Sequence, residues 1–579
     1  MILAWPPPDP FTSHTSDAPT VTTNPDSRPY PTPLLFTLFF LALFALHAPL
    51  LRLPYFWDEA GYYIPAAHDL LTSGSLIPHS TLSNAHPPLV MAWLALAWKI
   101  LGFTPLVTRT AMLLIAAFAL LGVFRLAQRV ANTDVAIAST ICTATYPVFF
   151  TQNSLAHLDL AAAAFTFWGL LAYVEGRRSA TALWFSIAVL TKETAILAPL
   201  ALLTWELAGT KFWDLGLAAK RRKNKAHGAS RGSDEKNDQA PEGRKNPAAL
   251  LFPLIPLALW YAYHYHRTGF LFGNPEFFRY NVQATLQPLR ILLAFGMRIW
   301  QLLAYLNLYL FTLATLLAMF REPIADRERI ALPTQFAFLS VILAYALAMA
   351  MVGGAVLARY MLPAIPLVII IFVSTLRRRV QIWRGIVAII TAGFLAALFL
   401  NPPYGLSLED TLAYRDYIQL HQNAETFLEA RYPMARVLTA WPASDELTRP
   451  YLGYVTRPLH VVRIEDFTVQ QLFAASDLRG KFDVALVFST KYEPPHPLFE
   501  RWETWQRWKT EFFGYHRDVP PAAAAQILGG QLVYQEHRPG QWVAVIELAQ
   551  IEEARALSNA KMPGILANSG QSSGLTRQP

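Results

Sequence analysis

Long apolar runs recur between Leu34 and Leu400, and no other feature limits the fold of this chain as tightly. A mainly apolar run of roughly 17–25 residues matches the hydrocarbon thickness of a bilayer. Inside lipid a backbone must satisfy its own hydrogen bonds, which leaves the helix as the spanning element for such runs. Hydrophobic residues make up 54% of the 579 and charged residues only 15%, with a mean hydropathy of +0.28. That balance excludes a soluble protein of this size. The formal charge of +8 is not a nucleic-acid signal, because Lys and Arg gather in short loops between apolar runs, where they set topology. The single cysteine, Cys142, lies in an apolar run, so no intramolecular disulfide can form.

The distribution of basic residues orients the chain. Residues 1–33, rich in Pro, Thr and Ser, read as a disordered cytoplasmic tail, with the first helix kept as an anchor. Lys220–Lys245 is a low-complexity basic stretch, which makes 209–247 a cytoplasmic polar loop. Arg125/Arg129, Arg177/Arg178, Arg321/Arg327/Arg329 and Arg377/Arg378/Arg379/Arg384 belong on the same side. About eleven spans reconcile these placements with an N-terminus inside, at roughly 34–53, 105–124, 134–150, 159–175, 180–191, 194–208, 248–264, 297–320, 333–352, 361–376 and 383–400. Pro87–Leu101 is too short to span and reads as a re-entrant or interfacial helix. After Leu400 the charge rises and no run is long enough to span. ARVLTAW, HVVRIE, FDVALVFS and QWVAVIEL predict short buried strands alternating with helices at 410–431 and 469–478. The expected fold is thus a polytopic α-helical membrane protein of about eleven transmembrane helices over 34–400. An extracytoplasmic soluble α/β domain follows at 401–555, then a disordered tail at 556–579. No phosphate loop, metal-ligand cluster or Ser/His/Asp set is legible in the region after Leu400.

Within this topology polar residues collect at the outer boundary. Trp57-Asp58-Glu59 places two adjacent carboxylates where the first span leaves the membrane, and acids held at that depth point to function. Trp57 and Tyr55 alone would read as an aromatic belt with solvated acids beside it. His86, Asp159, Lys192 with Glu193, and Arg359 with Tyr360 fall on the same face. Each has a local explanation: a cap, a charge at a helix N-terminus, an ion pair, an interfacial anchor. Their convergence on one face argues for a site.

The ordered set WDEAGYY, HPPLVMAWLALAWKILG, the TR at 108–109, AHLDLAAAAF, LTKETAILAP and ARYMLPAIP resembles the polytopic GT-C glycosyltransferases. The nearest groups are the protein O-mannosyltransferase-like enzymes and the lipid A aminoarabinose transferases, and the resemblance covers about residues 34–400. It implies a GT-C-like transmembrane catalytic domain with an acidic base in the first external loop. Asp58 matches that base, with Glu59 beside it, and Asp159 matches a second acid at the start of a later helix. His86 stands before the Pro-Pro pair, where the family often has Lys or His. Arg359 and Tyr360 match the late Arg-Tyr. Lys192 departs from the pattern in being followed by Glu193, where many relatives have a small residue.

The resemblance implies transfer of a sugar from a polyprenyl-phosphate donor to an acceptor hydroxyl on the extracytoplasmic side, with inversion. Asp58, Glu59 and Asp159 are the expected catalytic residues. His86, Lys192, Arg359 and Tyr360 are the expected groups for the donor phosphate, whose growing charge needs fixed cations. The implied donor is a polyprenyl-phosphate-linked hexose or pentose, and the acceptor a glycan, lipid or protein. The bilayer is a partner and nucleic acid is not. The setting is a cell's inner (plasma) membrane. A divalent metal is left open as a cofactor. The other readings are a lipid-linked oligosaccharide ligase or polymerase, and a non-catalytic receptor or transporter with an external α/β domain. A receptor leaves the convergent acids without a reason; a transporter would also gather charges at a boundary, but should show paired broken helices in related halves, and the sequence shows no such repeat.

Overall fold

The computed structural model describes residues 30–208 and 247–548. Residues 1–29 of the predicted N-terminal tail, all of the polar loop 209–247 but its last residue, and the tail 556–579 lie outside these residues, and Thr32 and Pro33 belong to the first helix. From Thr32 to Phe399 the described chain is a stack of helices, and five of them are long and apolar enough to cross a membrane: Thr32–Leu50, Pro105–Val130, Pro247–Thr268, Pro288–Asn307 and Leu332–Met351. Leu158–Val174, Tyr309–Met319 and Trp383–Phe399 are shorter apolar helices. Large apolar side chains stand exposed along them, among them Leu38, Leu259, Leu292, Leu317 and Ile389. On a water-soluble surface so much exposed apolar area would be a liability, and against lipid it is the expected outer face.

Local sequence explains where the helices start and stop. Thr104 caps Pro105–Val130 by accepting from the Val107 N–H, with Pro at the first helical position. Asn132 caps Thr133–Thr145 in the same way. The short apolar piece Pro87–Leu101 forms a helix of 13 residues, Leu89–Leu101. Two expected spans are corrected. The run 134–150 breaks at Tyr146, extended ahead of Pro147, into Thr133–Thr145 and Pro147–Gln152. The run 297–320 is not one helix, because Leu306 and Asn307 take left-handed φ values of 47° and 70°. They split the run into Pro288–Leu303 and Tyr309–Met319. Apolar content carries no signal for this break, since Leu306 is itself buried in the core.

After Leu400 the chain builds a five-stranded sheet of β1 (Arg436–Ala440), β2 (His460–Ile464), β3 (Val484–Phe488), β4 (Gly530–Arg538) and β5 (Gln541–Leu548). The order is β2-β1-β3-β5-β4. β1 runs parallel to β2 and β3, while β5 is antiparallel to β3 and β4. The four predicted strands are β1, β2, β3 and β5, and the predicted helices appear as Ala413–Arg431 and Val469–Ser476. β4 went unpredicted because QLVYQEHR is a largely solvent-facing edge strand whose polar residues hide its pairing with β5. Three contacts press this domain onto the loop after the first span. Tyr454 Oη donates to the Tyr55 carbonyl at 3.0 Å. The Trp57 and Trp441 rings meet at 5.3 Å. A Cβ on Gly61 would come within 2.6 Å of Trp441, so only glycine allows this approach.

Candidate active site

The segment carrying Asp58 is strained where it meets the site. Trp57 has φ 49°, a left-handed conformation that bulky residues rarely adopt. It is held there by Tyr417 and Trp441, whose rings lie 5.6 and 5.3 Å away. Glu59–Tyr63 then forms a π-helical turn, a wide turn that recurs at functional sites, before the helix Ile64–Ser73. This geometry sends the two adjacent acids in different directions.

Glu59 turns into the protein. It is fully buried and grips Arg109 with both oxygens, at 2.5 and 2.9 Å. It also accepts from the Ala156 N–H at 2.5 Å and the Phe56 N–H at 2.8 Å. All four of its acceptor positions are thereby filled. The expectation that Glu59 is catalytic is corrected: it does not line the cavity, and its bidentate pair with Arg109 fixes the Asp58 loop to the helix Pro105–Val130.

Asp58 turns the other way. Its side chain is 20% exposed into a cavity of about 2670 Å³ between the membrane helices and the C-terminal domain. Asp58 Oδ2 accepts from Arg359 Nη2; Oδ1 carries no hydrogen bond from any described residue. Arg359 sits at the centre of the cluster. Its Nη1 donates to Glu409 Oε1 at 2.7 Å, and its Nε lies 3.3 Å from Asp159 Oδ2. Asp159, in the first turn of Leu158–Val174, also takes Lys192 Nζ at 2.6 Å. Lys192 leaves the end of the helix Arg178–Thr191 in an extended conformation and lies 4.3 Å above the Tyr360 ring. Arg298 and Arg359 stand 5.6 and 5.7 Å from the same ring, so Tyr360 is surrounded by three cations.

The expected phosphate set therefore divides. His86, Lys192 and Tyr360 line the cavity. Arg359 does not: it is 1% exposed and committed to three carboxylates. The expectation that it presents a fork to the donor is corrected, since a guanidinium shared among Asp58, Asp159 and Glu409 has no free edge for a phosphate. Asp159 is likewise buried behind Lys192 and Arg359, where it orients cations and touches no cavity space. Glu193 does not pair with Lys192; its Oε2 takes His86 Nδ1 at 2.9 Å, so the residue that departs from the family pattern holds the cavity histidine.

Glu409 was missed by the sequence reading. It lies in Leu408–Asp410, just after the last apolar helix, and lines the cavity. The signal was present: Glu409-Asp410 is a pair of acids at a membrane exit, as Asp58-Glu59 is at the first. Burial pushes the Glu409 carboxyl up to about 8 despite the neighbouring Arg359. It pushes Asp410, which accepts from the Tyr305 hydroxyl at 2.7 Å, up to about 6. At neutral pH Glu409 thus holds a proton, and Asp58 is the more open of the two to the cavity.

Residues 85–218, which carry His86, Arg109, Asp159 and Lys192, match the model of the dolichyl-phosphate-mannose-protein mannosyltransferase family. The resemblance to the GT-C glycosyltransferases is borne out. No curated protein matches the chain. Among solved structures it is similar to ArnT from Cupriavidus metallidurans bound to undecaprenyl phosphate, at 14% identity and a TM-score of 0.49, over 90% of this chain and 98% of that one. It is also similar to the oligosaccharyltransferase of Archaeoglobus fulgidus in complex with zinc and sulfate, at 12% identity and a TM-score of 0.42, over 79% and 68% of the two chains. The arabinofuranosyltransferase AftD from mycobacteria is similar at 13% identity and a TM-score of 0.42, over 89% of this chain and 40% of that one. At these identities no residue's role passes from them to this chain.

Proposed function

We propose that this chain is a membrane glycosyltransferase that moves a sugar from a polyprenyl-phosphate donor to an acceptor hydroxyl on the extracytoplasmic side, inverting the anomeric carbon. One observation carries the reading: a carboxylate with a free oxygen, Asp58, and a cation, Lys192, face a single cavity walled by apolar side chains such as Leu293, Met297 and Trp300. Its volume is several times the roughly 300–1,000 Å³ of an ordinary ligand pocket, room enough for a sugar phosphate together with part of its lipid. The family match over 85–218 favours sugar transfer over transport or sensing.

In this mechanism Asp58 takes the proton of the acceptor hydroxyl as its oxygen attacks the anomeric carbon. The bond from that carbon to the phosphate oxygen breaks, and the electron pair leaves with the polyprenyl phosphate. Lys192 and His86 stabilise the negative charge that grows there. Arg359, Asp159 and Glu59 position these groups.

The reaction is tested by incubating purified protein with radiolabelled polyprenyl-phosphate hexoses and pentoses and a membrane extract as acceptor. Label is expected to leave the donor as unsugared polyprenyl phosphate accumulates. Inert monophosphate donors together with consumption of pyrophosphate-linked oligosaccharide would instead establish the ligase reading.

The orientation rests on the basic loops and has its own test. Gln470 is exposed in the C-terminal domain. A cysteine replacing it, in a Cys142→Ser background, is expected to react with an impermeant thiol reagent on intact spheroplasts. Reaction only after the membrane is opened would place the cavity on the cytoplasmic side.

A further inference from the structure

The fold assembles a second polar cluster in the C-terminal domain, where the sequence shows no metal-ligand pattern. His421 and Glu425 are four residues apart on one face of the helix Ala413–Arg431. Glu446 comes from the short helix Ala443–Thr448 that follows β1. His421 Nδ1 lies 2.6 Å from Glu446 Oε2 and 3.6 Å from Glu425 Oε1. One ligand atom from each of the three falls within 4.8 Å of the others.

Two features set this cluster apart from an ordinary buried network. The three side chains are at most 1% exposed, yet neither oxygen of Glu425, nor Glu446 Oε1, meets a hydrogen-bond donor. Among the described residues no Lys or Arg is ion-paired to Glu425 or Glu446, and the one basic group beside both is His421. The walls offer little relief, with the Tyr417 and Phe488 rings packed 4.0 and 4.5 Å from the imidazole. Two buried carboxyl groups that share a single imidazole are costly to keep charged, and such groups coordinate a metal or take up protons.

We propose that His421, Glu425 and Glu446 bind a divalent metal ion of the zinc class. One imidazole nitrogen and two carboxylate oxygens suit zinc, and three protein ligands leave a fourth position of a tetrahedral shell. The metal ties the helix Ala413–Arg431 to the segment after β1, which carries Trp441 and so supports Trp57 beside Asp58. Its role is structural, because none of the three ligands lines the transfer cavity.

The full-length protein, purified in detergent, equilibrated with zinc and freed of loosely held ion, is analysed by elemental mass spectrometry. About one zinc per chain is expected for the wild type, held by the three buried ligands. The same content is expected for Asp58→Asn, which separates this site from the cavity carboxylates. Glu425→Gln and His421→Ala are each expected to lose the ion. X-ray absorption on the wild-type zinc is expected to show a shell of nitrogen and oxygen without sulfur, a readout that needs no variant to fold. Wild-type protein that retains no zinc overturns the proposal and leaves a proton shared between the two glutamates. Undiminished zinc in Glu425→Gln and His421→Ala, or a zinc lost from Asp58→Asn, overturns it equally.

Discussion

Replacing Arg359 by alanine is expected to remove both activity and much of the stability of the cavity wall. Its guanidinium is the shared partner of Asp58, Asp159 and Glu409. Lys192 can still serve Asp159, but Asp58 loses its cation and Glu409 a hydrogen-bond donor. Breaking a buried pair from one side costs about 3–5 kcal/mol, because the other charge is left uncompensated. Arg359→Lys keeps the charge but reaches one carboxylate where the guanidinium reaches three, so it should recover only part of the loss. Removing a carboxylate as well is a sharper check. Asp58→Asn in the Arg359→Ala background should be more stable than Arg359→Ala alone, since the carboxylate left without its cation is gone; the two effects are coupled and will not add. Thermal unfolding in detergent, followed by tryptophan fluorescence, reads all four proteins. An Arg359→Ala variant as stable as the wild type would show that the cluster is not held by this residue.

Asp58→Asn is the largest expected effect on chemistry alone. Asparagine keeps a carbonyl oxygen for the Arg359 N–H, so the loop and the cavity should persist, and donor binding with them. What is lost is proton acceptance, on the order of 10²–10⁴-fold in turnover. Glu409 cannot substitute near neutral pH, because burial holds its carboxyl at about 8 and keeps it protonated. Retention of more than about a tenth of wild-type turnover, far above that 10²-fold loss, would assign the base elsewhere. The measurement is single-turnover transfer with donor binding monitored in parallel, so that a donor defect is not mistaken for a catalytic one.

Much of this architecture was legible in the chain. Apolar runs of bilayer length fix the helices because lipid leaves the backbone no other partner. Hydrophobic segments broken by turn residues marked four of the five strands, since buried strands carry their own signal. Acids placed where spans leave the membrane marked the boundary at which the site lies, because charge at that depth is costly without a use. Tertiary structure decided which of those groups meet. Asp58 and Glu59 are indistinguishable as neighbours in sequence, and the turn that follows Trp57 sends one to the cavity and the other to Arg109. Arg359 reads as a phosphate fork by motif, and becomes a buried hub only when a partner 301 residues away is brought to it. His421, Glu425 and Glu446 form a cluster only once β1 has carried the last of them back to the first helix of its domain. Periodicity and composition report how each residue meets lipid, water or core. They hold no record of which distant charges the packed chain will place within a few ångströms of one another.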